Sequence, residues 1–313
     1  MVFTEKAELH CHIDGLLDPP MLAELVTAGL DPGISATALR AACPAKSLKD
    51  WIESYCAVVN PAVMRPEILS ALLVSHIRRL PAQGVGYTEI MVSGMLAGED
   101  EGAVVDIFRK LRTAVSEAAT GAKVRVELLV AVNYRSAERF SHQVQRILAI
   151  RKAGLIKGVA IAGQEPRPAL AASTDEFSRM RDAGLGIEVH AGEWAGPESV
   201  RDALRHANPD RIGHGIAIFT DEALLEEVRR RDIHIEMCPT SNVLTGAVKS
   251  MEAHPIRRAR ELGMNFSVST DDPAPFGCSM NSEYELLAHV FGFTGADFEN
   301  LRRNALRSSF ADR

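Results

Sequence analysis

The chain has 313 residues, 46% apolar and 24% charged, with a net charge of −6 and five cysteines. The length suits one large α/β domain. An acidic balance without a basic tract argues against a nucleic-acid groove or an anionic membrane surface. The odd cysteine count, with no close pairing, suits a reducing cytoplasm rather than a disulfide framework. No apolar run reaches the length of a membrane span, and Met1-Val2-Phe3-Thr4-Glu5-Lys6 lacks the shape of a signal peptide.

Short runs rich in Val and Ile recur at 7–13, 86–92, 124–132, 156–161, 186–190, 211–215, 233–237 and 265–269, as strands buried on both faces read. Amphipathic stretches at 66–82, 102–120, 137–153, 173–183, 197–207, 221–231 and 254–262 separate them, with helix starts at Pro197-Glu198-Ser199 and Thr220-Asp221-Glu222. Eight strands with intervening helices predict an α/β chain folded as a (β/α)8 TIM barrel, a single domain over 1–313. The connection after the first strand is long. It holds Pro19-Pro20 and two or three helical segments, including 48–59 with Trp51, Ile52 and Tyr55. This helical insertion reads equally as a decorated loop and as a lid over the C-terminal face, where barrel active sites lie. The residues from 304 to 310 leave little room for a closing helix after the eighth strand.

Chemistry-bearing residues collect at the predicted strand ends. His10 and His12 are two apart on a strand, so both project to one face, as shared ligation of a metal requires. His190 ends the fifth strand, and Glu193 follows across the turn Ala191-Gly192, which puts a ligand beside an acid. A satisfied core histidine and a solvated loop carboxylate are the bland alternatives. Glu193 becomes an acid catalyst only if an enclosed site keeps it protonated. His214 stands between Gly213 and Gly215, which allow close approach of another group. Asp271 and Asp272 follow the eighth strand, and alternation lets one carboxylate bind a metal and the other a substrate. Imidazoles with one carboxylate suit zinc, with a position left for water. His76, His142, His206, His234, His254 and His289 lack such placement. The turn Met237-Cys238-Pro239-Thr240-Ser241-Asn242 reads as structural, because no activating base stands beside Cys238.

Five motifs in this order, spread over nearly the whole chain, resemble the adenosine deaminases of the amidohydrolase superfamily: His10-Cys11-His12-Ile13-Asp14-Gly15, His190-Ala191-Gly192-Glu193, Arg211-Ile212-Gly213-His214-Gly215, Cys238 to Asn242, and Thr270-Asp271-Asp272-Pro273. The resemblance implies one zinc ion per subunit held by His10, His12, His190 and Asp271, with His12 and Asp271 also at the substrate and reaction centre. It implies that Glu193 gives a proton to N1 of a purine, that His214 orients the attacking water, that Asp272 bonds N7, that Gly163 lays its backbone on the purine and that Asp14 bonds a ribose hydroxyl. The implied reaction is hydrolytic deamination of adenosine or a related 6-aminopurine nucleoside to the 6-oxopurine with loss of ammonia. Adenine or an N6- or 5′-modified adenosine is the alternative substrate. The partner is thus a small molecule. The fourth strand carries Lys157 only at its start, against a carbamate-bridged second metal. Asp18, Ser93, Ala160 and Ser269 depart from the family pattern, which bears on the substrate and not on the metal ligands. A binding protein on a deaminase scaffold, or a hydrolase of cyclic amides or esters, would share parts of this set. Oligomeric state has no signature in the sequence.

Overall fold

Eight short strands hydrogen-bond in sequence order into one parallel sheet: β1 Lys6–His12, β2 Val85–Val92, β3 Arg125–Asn133, β4 Gly158–Ala162, β5 Gly186–Ala191, β6 Arg211–His214, β7 His234–Met237 and β8 Phe266–Val268. The structure is a computed structural model and describes residues 5–94, 100–163, 165 and 167–313. The sheet curls until its first and last strands meet. A parallel bridge pairs Cys11 with Asp271; the Asp271 N–H donates to the His10 carbonyl at 3.1 Å, and the His12 N–H to the Asp271 carbonyl at 2.9 Å. The barrel is therefore nearly closed, and its seam runs through three of the candidate metal ligands.

Helices cover the outside of the barrel at or near the expected stretches, from Glu101–Ala122 to Ile256–Glu261. One expectation fails. After β8 there is room for two more helices, Met280–Phe291 and Gly295–Ser308, and the second packs on β8 and β1. Both open with a side-chain capping box, at Ser279 and Thr294, signals that mark helix starts whatever the hydrophobic pattern. Beyond them Phe310 turns into the barrel's lower end, where a Cβ on Gly158 or Gly186 would strike its ring and Arg211 lies over that ring at 3.6 Å.

A bulge separates Glu8 from Cys11 on β1, so Leu9 and His10 together interrupt the register with β2. The Ser269 hydroxyl accepts both N–H groups of the bulge, at 3.2 Å each. Asp18, a second departure from the family pattern, also serves the fold. It caps the helix Pro19–Thr27 through the Met21 N–H and pairs with Arg79 at 2.9 Å. Ala160 packs in the barrel interior beside Met91, Leu129 and Phe310.

The insertion between β1 and β2 is helical, with Pro19–Thr27, Ala36–Ala42, Ala57–Val63 and Pro66–Arg79 as its main pieces. It is anchored over the barrel mouth. The Tyr55 hydroxyl donates to the carbonyls of Asp14 and Leu17, Trp51 packs on Phe276 with ring centroids 5.4 Å apart, and the Ala45 N–H donates to the Pro275 carbonyl. Among the described residues no single helix is long and apolar enough to cross a membrane. The five cysteines are free.

Candidate active site

The C-terminal strand ends gather the predicted cluster. His10 and His12 project from the end of β1, His190 from β5, and Asp271 lies three residues beyond β8. His12 Nε2 and His190 Nε2 are 3.1 Å apart, and Asp271 Oδ1 is 3.4 Å from both His10 Nε2 and His12 Nε2. His10, His12 and Asp271 thus form one group of donors within 4.8 Å of one another, and His190, beside His12, groups with His10 and His214. His10 Nε2 is a buried polar atom without a hydrogen-bond partner of its own.

The reverse sides of two of these rings are occupied by carboxylates. His10 Nδ1 meets Glu236 at 2.8 Å and His190 Nδ1 meets Glu188 at 3.0 Å, so Nε2 of each ring is the nitrogen presented inward. Glu236 is held in turn by Arg211, which also pairs with Glu89 at 2.6 Å; all of these side chains are buried. Burial works against ionising Glu236, but Arg211 and His10 outweigh it and hold its pKa low. Gly213 makes this packing possible, because a Cβ there would run into Glu188 and come within 3.0 Å of His10 Cε1.

Asp271 and His214 are both non-glycine residues in the left-handed region, with φ of 66° and 62°. Such backbone is costly and clusters at functional sites. It also corrects the sequence expectation for the carboxylate pair. The strand ends at Val268, and the left-handed kink at Asp271, rather than strand alternation, sends the two aspartates to different places. Asp271 turns to the histidines and accepts the Ser241 hydroxyl at 2.6 Å. Asp272 lies against Gly15, where any Cβ would clash with its backbone and side chain.

Electrostatics separate the carboxyl groups. Burial opposes ionisation of Asp271, yet His10, with its Nε2 3.4 Å away, and the surrounding imidazoles hold its pKa far below the ordinary range. Burial pushes Glu193 well above it, reinforced by the charges of Asp271 and Glu165, and both effects favour its protonated form. Asp272 is raised in the same way by burial and by Asp271 and Asp14. Burial lowers His12 to about 4 and His190 to about 3, which leaves both neutral and able to ligate. Glu193 lies 3.5 Å from His214 Nε2, and the Thr245 hydroxyl reaches it at 3.5 Å.

Asp14 and Gly163 stand at the same barrel end, after β1 and β4. Asp14 is half-buried, and its Oδ1 accepts the Ser93 hydroxyl at 2.8 Å. Gly163 has a φ of 101°, and its Cβ position is filled by Asn133. Several residues of this site do not emerge from the sequence alone. Glu165 accepts the N–H groups of Gly192, Glu193, Trp194 and Ala195, and so gathers the whole loop that carries Glu193. The turn after β7, which reads as structural, supplies Ser241 to Asp271 and Asn242 to His214. Their presence in the motif from Cys238 to Asn242 is the one available signal. Cys238 is buried with its thiol pKa raised by burial, in keeping with an inert side chain.

A parallel barrel whose C-terminal mouth gathers imidazoles, one carboxylate with a lowered pKa and one with a raised pKa has the makings of a hydrolase. The chain belongs to the adenosine deaminase family, whose model matches residues 5–313, and it is a hydrolase acting on C–N bonds, a deaminase of adenine or adenosine-like purines. It is 33% identical over 312 residues to an adenine deaminase of Sinorhizobium fredii, covering 98% of this chain and 94% of that one. It is 32% identical to an aminodeoxyfutalosine deaminase of Streptomyces coelicolor, over 98% of this chain and 80% of the other. The crystal structure of an adenine deaminase from Arthrobacter aurescens superposes with a TM-score of 0.84 at 26% identity, covering 98% of this chain and 94% of that one.

Proposed function

We propose that the barrel, as one catalytic unit over 1–313, deaminates adenine hydrolytically: water replaces the C6 amino group, and hypoxanthine and ammonia leave. The observation that carries this reading is a buried Glu193, in surroundings that favour its protonated form, at the edge of the His10, His12, His190 and Asp271 cluster. The donor set fits one zinc ion, with three inward Nε2 atoms, one carboxylate oxygen and carboxylates behind two of the rings. Zinc held by these four residues would supply the Lewis acidity that brings deprotonation of water towards neutral pH.

The chain's own groups do the rest. Glu193 gives its proton to N1, which draws electron density from C6. His214 orients the attacking water. Asp272, protonated, donates to N7, a lone-pair acceptor that an ionised carboxylate could not serve. The backbone at Gly163 lies along the purine. Asp14 borders the ring's far end, and Ser93 already occupies one of its oxygens. A carboxylate has lone pairs for further donors, so Asp14 fits the free base and a nucleoside alike, and the choice of the free base is made on relatedness. The similarity to adenine deaminases over almost the whole chain supports that choice. A 5′-modified adenosine is the second reading, favoured by the aminodeoxyfutalosine deaminase relative.

The test is loss of adenine absorbance with zinc-loaded protein and adenine, adenosine, deoxyadenosine and 5′-substituted adenosines in parallel. Adenine should give a kcat/KM at least about tenfold above the nucleosides. Preference for a 5′-substituted adenosine would select the second reading, and no turnover of any would reject both.

A further inference from the structure

We propose that His254, acting through Asn242, locks His214 as the tautomer protonated on Nε2, so that His214 meets the attacking oxygen as a hydrogen-bond donor and not as its base. This rests on the deaminase reading above, but the hydrogen bonds themselves do not.

The chain of bonds has a fixed direction because it starts from a group that can only donate. The Ile256 N–H, in the first turn of the helix Ile256–Glu261, donates to His254 Nδ1 at 3.2 Å. That nitrogen must therefore offer a lone pair. Burial lowers His254 to about 3, so the ring is neutral and its single proton sits on Nε2. His254 Nε2 lies 3.3 Å from Asn242 Oδ1 and donates to it. The amide is thereby oriented, and its Nδ2 donates to His214 Nδ1 at 3.0 Å. With Nδ1 accepting, a neutral His214 carries its proton on Nε2, the atom that faces Glu193. An imidazolium would have no lone pair on Nδ1 to receive the amide N–H, so the same bond requires the neutral ring.

The reversed amide fails on counting. Asn242 Nδ2 would then face His254 Nε2, and His254 would have to accept on both nitrogens, which a neutral imidazole cannot do. His254, Asn242 and His214 are 2%, 0% and 1% exposed, so bulk water does not offer an escape for a mismatched donor. His254 and Asn242 are thus positioning residues. They touch neither the ligand set nor the expected substrate, yet they decide which edge of His214 carries hydrogen.

Ring-nitrogen NMR of 15N-histidine-labelled protein, metal-free and zinc-loaded, reads the tautomer directly, with His214→Gln to assign the signals. In the wild type, His214 should show a protonated Nε2 and an unprotonated Nδ1. Asn242→Asp, nearly isosteric and able only to accept, should move the proton to Nδ1 and cut kcat about 100-fold with KM changed little, the scale of losing one aimed donor. His254→Leu should loosen the preference, and His254→Gln, which still offers an N–H to Asn242, should restore most of it. A wild-type His214 protonated on Nδ1 would overturn the proposal. So would Asn242→Asp with tautomer and kcat unchanged. Absence of turnover in the wild type would count against the deaminase reading alone, since the NMR pattern stands without it.

Discussion

Glu193 owes its role to where it is held. An ordinary glutamate is ionised at neutral pH, whereas this one is buried near Asp271 and Glu165, and both effects favour the proton. The sign follows. The protonated form is the acid, so kcat/KM should fall on the alkaline side, as pH rises through the raised pKa of Glu193. Glu193→Gln should abolish that limb and lower kcat by about 1000-fold, within the range for general acid catalysis. Zinc content should be unchanged, because Glu193 is not among the four inward donors. A variant that lost the metal together with the activity would instead place Glu193 in the ligand set.

At the scale of elements, loops are positioned by single side chains reaching from neighbouring strand ends. Glu165 is the strongest case, with four backbone N–H groups of the β5 loop converging on one carboxylate and Arg167 beside it at 3.2 Å. Glu165→Ala leaves those buried donors without their acceptor, at a cost on the order of 3 kcal/mol. The expected outcome is a lower urea midpoint and a fall in kcat at least as large as the effect on KM, measured on the folded variant. The strands, the motif histidines and the paired aspartates are legible in the sequence because each stands in a short apolar run with a polar residue at its end. Glu165, Glu188 and Glu236 are not legible there. Their importance lies in pairings across the fold, Glu236 to His10 and Glu165 to the Gly192–Ala195 backbone, and no local spacing encodes these. Ser241 and Asn242 sit inside a motif yet read as turn residues, because their partners are 30 and 28 residues distant. The two last helices escape notice for a related reason: their start signals are the capping boxes at Ser279 and Thr294, outside any strand end.

Across the whole molecule, the seam between β1 and β8 is joined at His10, His12 and Asp271, residues that also belong to the donor cluster. Zinc on these side chains would brace the barrel where its sheet closes. Chelation should therefore lower Tm, and ligand linkage sets the size: metal at about a thousandfold above its Kd is worth about 4 kcal/mol. Hydrogen exchange should quicken first at the backbone of 9–12 and 268–271. Uniform quickening over the barrel would argue against a brace. Acid should act beyond the cluster as well. Burial lowers His76 and His234 from 6.5 to about 4, and both lie outside the cluster. The unfolded chain takes up their protons first, so stability present above pH 6.5 is lost as pH falls towards 4, on the order of 3 kcal/mol for each group. Urea midpoints at pH 7 and at about pH 4.5 measure this, and His76→Leu should shrink the difference.

Arg211 connects the two ends of the barrel. Its guanidinium lies over Phe310 and grips Glu236, which holds His10. During synthesis the two histidines of β1 leave the ribosome early, Asp271 late, and Phe310 later still. The donor cluster therefore has no complete form until Asp271 has left the ribosome, and its support from below arrives only with Phe310. A chain cut between the two would carry every donor of the catalytic mouth and lack the ring beneath Arg211.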